Sequence, residues 1–463
     1  MHGITLLSAP ADWEIIQQEN GFGTATLKGS FQVHPAAINV GVEKVTPLYR
    51  VMNEQDNTAV IPWTPLKFQA NPDFTGTFED TISIPAGGLY RIDTSLETKS
   101  TVPNLTWLYR GDCVLHLGVG NVFLIAGQSN SAGYGRDYAM DPPHLCVHLF
   151  RNRSRWDLAC HPMNESSFAG SLPNEEMGVP GVSPYLSFGK NFYEFSHCPV
   201  GLVQVSLGGS PMSRWHPRTG DLYANMIDKI RLTGGKYAGV LWYQGCSDCS
   251  KDAAASYLEH FSEMVSALRK ELGYDIPFFT FQLNRFLDCK DDVYWGQVRE
   301  AQRVAAMTIP GVSILPTINN AMSDGIHNSA HANVMLGEKL ARQAAHYLLG
   351  TAPFEAPSIA SAVLEEDGRV CLTFDNMALG FVYSSGSPDG NGFTLEDETG
   401  VIPFTAFQAA REDKNRIYLT PQRAPGVGAV ISFAWEADPV RFPVTDEVTF
   451  LPPLSFYRYP VTQ

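Results

Sequence analysis

Five near-continuous apolar runs, at residues 122–126, 201–205, 240–243, 278–283 and 312–315, dominate the middle of this chain. Runs of this kind, apolar at successive positions instead of alternate ones, suit strands buried on both faces of a parallel sheet. Parallel strands require a crossover between them, and helical patterns fill the gaps. The clearest spans 252–272, where Tyr257, Leu258, Phe261, Met264, Val265, Leu268 and Leu272 recur at helical spacing. Ser250 is placed to cap that helix and Gly273 to end it. A second helix is predicted over 332–349, ending at Gly350. Strands alternating with helices predict an α/β domain over 116–350: a parallel sheet between two helical layers, a three-layer αβα core.

The flanks read differently. Residues 1–115 hold short β-type segments such as 24–33 and 91–94, with turns at Asn71-Pro72-Asp73 and Pro85-Ala86-Gly87-Gly88 and no helical period. Residues 351–463 return to this pattern at 370–374, 416–419 and 429–435, separated by Pro, Gly, Asn and Asp clusters such as 387–392. Each end is therefore predicted to be a β-sandwich module. A length of 463 residues, 44% hydrophobic and 17% charged, supplies enough material for such an arrangement.

Charge excludes some partners. Thirty-three basic residues stand against 48 acidic ones, giving −15, with no cluster of Lys and Arg to grip a polyanion, so no nucleic acid is expected. No apolar stretch approaches the ~20 residues needed to span a bilayer, so no membrane is expected. The first residues lack the basic start and apolar core of a signal peptide, which predicts a cytoplasmic chain. Eight scattered cysteines read as reduced thiols.

Four polar segments follow the predicted strands or precede a helix. In the first, Gly127-Gln128-Ser129-Asn130-Ser131, a serine just past a buried strand offers a nucleophile and a backbone N–H for an oxyanion. Ser and Asn are also common at simple turns. The segment is not the G-x-S-x-G elbow, because position 131 is Ser. The second, Ser206-Leu207-Gly208-Gly209-Ser210, carries paired glycines whose N–H groups can approach a ligand closely. In the third, Trp242-Tyr243-Gln244-Gly245, the Gln244 amide can aim an N–H at an oxyanion. In the fourth, Asp324-Gly325-Ile326-His327, a carboxylate three residues before a histidine can accept the Nδ1 hydrogen bond and free Nε2 to act as a base. His331 competes for that role but falls in the predicted helix, which favours His327.

Taken in chain order, these four blocks resemble those of the sialate O-acetylesterase-like family, a branch of the SGNH hydrolase superfamily that deacetylates sugars. Gly181-Val182-Ser183-Pro184, Arg299-Glu300-Ala301-Gln302 and Leu336-Gly337-Glu338-Lys339 are further echoes. The resemblance covers most of 111–350. It implies an SGNH-hydrolase-like core in which Ser129 is the nucleophile, His327 the base and Asp324 its orienting partner. It further implies an oxyanion hole from the Ser129 N–H, an N–H of Gly208 or Gly209, and the Gln244 side chain. The expected activity is a serine esterase removing O-acetyl groups from sialic acid or acetylated plant or host glycans through an acyl-enzyme, without metal or other cofactor. The alternative is a non-catalytic carbohydrate-binding protein with a degenerate esterase core. The substrate partner is an acetylated mono-, oligo- or polysaccharide, with Gln128 as a candidate contact. Past the Gly208-Gly209 turn, Trp215 either stacks on a sugar ring or packs in the core, the commoner fate of a large aromatic. Arg214 either pairs with a substrate carboxylate or stands solvated at the surface, the commoner fate of an arginine. One departure stands out: where the family commonly has Glu after Gln-Gly, this chain has Cys246, followed by Cys249 in a C-x-x-C spacing that also fits redox or zinc chemistry. The network behind Gln244 must therefore differ from the family's.

Overall fold

The computed structural model describes residues 2–165, 173–287, 289, 292–383, 392–410, 412–439 and 444–463; most of the turn cluster expected at 387–392 lies outside them. At its centre is a sheet with strand order Trp156–Leu158, Val147–Phe150, Val200–Gln204, Thr106–Gly127, Gly239–Tyr243, Phe278–Phe281 and Val312–Leu315. Every pairing in that series is parallel except the outermost, between Val147–Phe150 and Trp156–Leu158.

Alternation along the central strand explains its unbroken apolar run. Val122, Leu124 and Ala126 join one apolar cluster, with Met226, Phe261 and Val298 from helices Asp221–Leu232, Lys251–Leu272 and Asp292–Thr308. Phe123 and Ile125 join another, with Phe188 from helix Tyr185–Ser196 and Leu336 and Leu340 from helix Ala330–Leu349. Both faces are covered, so neither tolerates a polar residue. The two long helices end as their sequences predict, at Gly273 and Gly350 in the left-handed conformation with φ of 77° and 70°. Ser329 Oγ caps the second by accepting the Ala332 N–H at 3.0 Å, whereas Ser250 makes no side-chain cap.

The strand Thr106–Gly127 runs without a break through residues 115 and 116. Its first half pairs antiparallel with Leu89–Ser100, and its last residues pair parallel with Val200–Gln204 and Gly239–Tyr243. Around it, strands Ala59–Pro65, Val42–Asn53 and Leu89–Ser100 face an antiparallel sheet of Gly3–Ser8, Phe22–Gln32, Thr75–Pro85 and Phe68–Ala70 across one apolar cluster. A short helix, Pro35–Val40, breaks the expected all-β pattern there. Six residues are too few to show a period, and its start is fixed locally by Pro35 and by His34, whose Nδ1 accepts the Ala36 N–H. The C-terminal residues form two four-stranded antiparallel sheets and a two-stranded ribbon around a further cluster.

Buried hydrogen bonds join the C-terminal sheets to the core. Arg299 is fully buried and donates to the carbonyls of Leu283 at 2.9 Å, Asn284 at 2.6 Å and Ala434 at 3.0 Å. Burial pulls its guanidinium down to about 10. Gln282, just past strand Phe278–Phe281, exchanges two bonds with the Ser455 backbone.

Candidate active site

Strand Thr106–Gly127 lies between Val200–Gln204 and Gly239–Tyr243, where the chain's direction of travel across the sheet reverses. Crevices open at such points, outside the carboxyl ends of the strands. Ser129 sits at this crevice, opening the short helix Ser129–Ala132. Gly127 makes the exit possible. It has φ of 127°, and a Cβ on it would lie 2.2 Å from the Tyr243 carbonyl oxygen.

Ser129 is only 8% exposed, and among the described residues neither its Oγ nor its N–H has a hydrogen-bond partner. Ser131 differs: fully buried, its Oγ donates to the Ala126 carbonyl and meets the Tyr185 hydroxyl, both at 2.9 Å. Gln128 is buried too and does not face a ligand as expected. Its Oε1 accepts the N–H groups of Gly245 at 2.9 Å and Ser247 at 3.3 Å, tying neighbouring strand ends together.

The Asp324–His327 pair forms as its spacing predicts. His327 Nδ1 lies 2.7 Å from Asp324 Oδ2, and Asp324 Oδ1 accepts the N–H groups of Ile326 at 2.9 Å and His327 at 2.8 Å. Partial burial pushes the Asp324 carboxyl up, but the bonds from the His327 ring and these two N–H groups outweigh it and hold the carboxyl below its usual value. His331 is exposed in the first turn of helix Ala330–Leu349.

The histidine loop is pinned to the serine turn by residues the sequence did not single out. Asn130 Oδ1 accepts the Asn328 N–H at 3.0 Å, and its Nδ2 donates to the Ile326 carbonyl at 3.3 Å. Asn328 is fully buried, with Nδ2 on the Tyr243 hydroxyl at 3.1 Å and Oδ1 accepting from Asn284 at 3.2 Å. The Tyr134 ring stacks on His327 with centroids 4.9 Å apart. Sequence alone gives little signal for these, because every partner lies far along the chain.

The oxyanion side departs from expectation. The Gly208 N–H donates to the buried Glu176 carboxylate at 2.7 Å and is not free. Gly209, at φ of 67°, has open space where a Cβ would stand, and its N–H has no partner among the described residues. Gln244 is fully buried. Its Nε2 donates to the Ser210 carbonyl at 3.1 Å and to Asp248, so the amide does not present an N–H to the crevice. Asp248 also accepts the Met212 N–H at 3.1 Å. The carboxylate missing at Cys246 is thus supplied two residues later. Burial pushes the Cys246 thiol up to about 12 and raises Cys249 as well, so both stay protonated. Among the described residues no group of three or more His, Cys, Asp or Glu side chains is arranged to hold a metal ion.

Of the alternatives for the two residues after the glycine turn, Trp215 takes the core one and Arg214 an ion pair with a neighbouring carboxylate. Trp215 is fully buried in the core, with Nε1 on Ser210 Oγ at 3.3 Å and its ring 5.2 Å from that of Trp242. Arg214 pairs bidentately with Asp221, at 3.0 and 2.6 Å, leaving no free fork for a substrate carboxylate.

A serine at the switch point of an open parallel sheet, with an Asp–His pair on the adjoining loop, defines an esterase-type site. Residues 119–346 match the model of the carbohydrate esterase, sialic acid-specific acetylesterase family, and over this stretch the chain is similar to that family. It is a carbohydrate O-acetylesterase acting on acetylated sugars. Over 245 residues, 48% of its length and 88% of the relative's, it is 28% identical to a probable carbohydrate esterase of Arabidopsis thaliana. Its fold is similar over 98% of the chain to a carbohydrate acetylesterase from Xanthomonas citri, of which 99% is covered, with TM-score 0.64 and 19% identity. NanS aligns with 50% of the chain and 98% of its own, with TM-score 0.42 and 16% identity. No described helix is long and apolar enough to cross a membrane.

Proposed function

We propose that the chain hydrolyses O-acetyl esters of sugars through an acyl-enzyme on Ser129, with His327 as base and Asp324 holding the imidazole tautomer. The observation that carries this reading is the Asn130 bridge, which fastens the Asp324–His327 loop to the turn bearing an unpartnered serine hydroxyl. Ser129 Oγ attacks the acetyl carbonyl while His327 Nε2 takes its proton. The tetrahedral oxyanion is held by the N–H groups of Ser129 and Gly209, which have no partner to give up among the described residues. Collapse expels the sugar oxygen, protonated by His327, and leaves acetyl-Ser129. Water, deprotonated by His327, then attacks that ester and releases acetate. Gly208 and Gln244 act behind the hole, setting the turn that presents Gly209.

The apolar clusters on opposite faces of the sheet support a three-layer core over 116–350, and the outer sheets support β modules over 1–115 and 351–463. Stopped-flow hydrolysis of p-nitrophenyl acetate, with mass spectrometry of acid-quenched protein, tests the mechanism. A burst and a 42 Da adduct on the peptide containing Ser129 are expected. Turnover without any adduct, and undiminished in Ser129→Ala, would sink it.

A further inference from the structure

Glu176 is 2% exposed, and among the described residues its carboxylate takes only neutral donors: the Tyr134 hydroxyl at 2.6 Å, Asn164 Nδ2 at 2.9 Å and the Gly208 N–H at 2.7 Å. A buried carboxylate without a cation costs several kcal/mol of desolvation that hydrogen bonds only partly offset. Its donors are informative. Gly208 belongs to the turn that presents Gly209, and the Tyr134 ring stacks on His327. Asn164 also donates to the Ser206 carbonyl at 3.1 Å, on the approach to the same turn. A Cβ at residue 208 would lie 2.9 Å from Glu176 Oε2 and 3.1 Å from the Tyr134 oxygen, so the glycine makes room for this cluster.

We infer that Glu176 is a positioning residue for deacetylation, fixing at once the platform under His327 and the turn that presents Gly209. The inference rests on the Ser129–His327 reading above. By occupying the Gly208 N–H, the carboxylate sets the peptide that leaves the next N–H, that of Gly209, unpaired. By holding the Tyr134 hydroxyl, it fixes the ring that limits rotation of the imidazole. Its negative charge, one ring away from His327, also favours the imidazolium that forms as the serine loses its proton. Asp324 is paired with His327, and the Arg136 guanidinium lies 5.0 Å from the centre of the Tyr134 ring that stacks on it. Neither residue is substituted in Glu176→Gln.

The test compares the full chain with Glu176→Gln, Tyr134→Phe and Ser129→Ala, using p-nitrophenyl acetate and an acetylated monosaccharide, with circular dichroism and Tm on each. Glu176→Gln is expected to stay folded and lose about 10- to 100-fold in kcat with KM within about threefold. The acidic limb of its pH profile should move to lower pH than the parent's, because a nearby negative charge that favours the imidazolium has been removed. Tyr134→Phe keeps the stacked ring, loses the bond to Glu176 and should lose about 3- to 10-fold in kcat. Parent-like kcat in Glu176→Gln, or a lower kcat with an unmoved acidic limb, overturns the inference. Should Glu176→Gln fail to fold, parent-like kcat in Tyr134→Phe overturns it equally. An inactive Ser129→Ala beside a normal Glu176→Gln removes only the role of Glu176, whereas an active Ser129→Ala removes the nucleophile on which it rests.

Discussion

Asn130 reaches across 198 residues of sequence to accept the backbone N–H of Asn328 at 3.0 Å, so the residue after Ser129 holds the residue after His327. Asn130→Ala should therefore impair catalysis without removing any reacting group. The Asn328 N–H is buried and would lose its partner, at a cost of roughly 1–3 kcal/mol. A fall of about 10²-fold in kcat, with KM little changed and the fold intact, is expected by steady-state kinetics and urea melts. Parent-like kcat would show that the bridge does not hold the loop in register.

Asp324→Asn should lower kcat by about 10²–10⁴-fold, because an amide can leave the imidazole in the wrong tautomer. It also has a signature in stability. The Asp324 carboxyl is held below its usual value in the folded state, so its contribution is present above that usual value and is lost as pH falls through the folded one. Between about pH 5 and pH 3, Tm should therefore fall less in Asp324→Asn than in the parent. Equal slopes in the two proteins would mean that the pair stabilises nothing.

The Asp324–His327 pair was legible because it is local: two residues three positions apart in one loop, judged by what an imidazole needs. The sheet was legible because a strand covered on both faces must be apolar at successive positions, as residues 122–126 are. Glu176 was not, since nothing near it in sequence shows that Gly208, 32 residues on, will donate to it. Gln244 was misread for a related reason. Its strand-end position is as expected, but the direction of its amide is set by Asp248, which takes over from the carboxylate absent at Cys246. Of the two alternatives the sequence left for each residue after the glycine turn, only packing decides: Trp215 is buried and Arg214 pairs with Asp221.

Arg299 is a stability position. Its guanidinium donates to the carbonyls of Leu283, Asn284 and Ala434, and no compact side chain can replace all of these bonds. Arg299→Ala should cost about 3–5 kcal/mol, the range for leaving buried polar partners unpaired. Arg299→Lys should recover little, because an ammonium cannot span carbonyls on opposite sides of a planar fork. Chemical denaturation read at pH 7 checks both. A loss below about 1 kcal/mol in Arg299→Ala would show that water replaces the guanidinium easily.

Trp215 and Arg214 separate core from cleft. Trp215 is fully buried against Trp242, so Trp215→Ala should act on stability, at about 3–5 kcal/mol for a large aromatic cavity. Its KM for acetylated sugars should stay near the parent's in whatever fraction remains folded. Arg214 is held by Asp221, whose hydrogen bonds raise the already high pKa of the guanidinium. That pair is partly exposed, and breaking it should cost little stability. Arg214→Ala is thus expected to leave kcat/KM unchanged on both acetylated sialic acid and an acetylated neutral sugar. If the variant instead loses efficiency on sialic acid alone, Arg214 must release Asp221 and turn toward the substrate carboxylate on binding. A double variant, Arg214→Ala with Asp221→Asn, distinguishes that exchange from a simple surface pair. It should match the parent on both substrates if the arginine never leaves its partner, and match Arg214→Ala on sialic acid if it does.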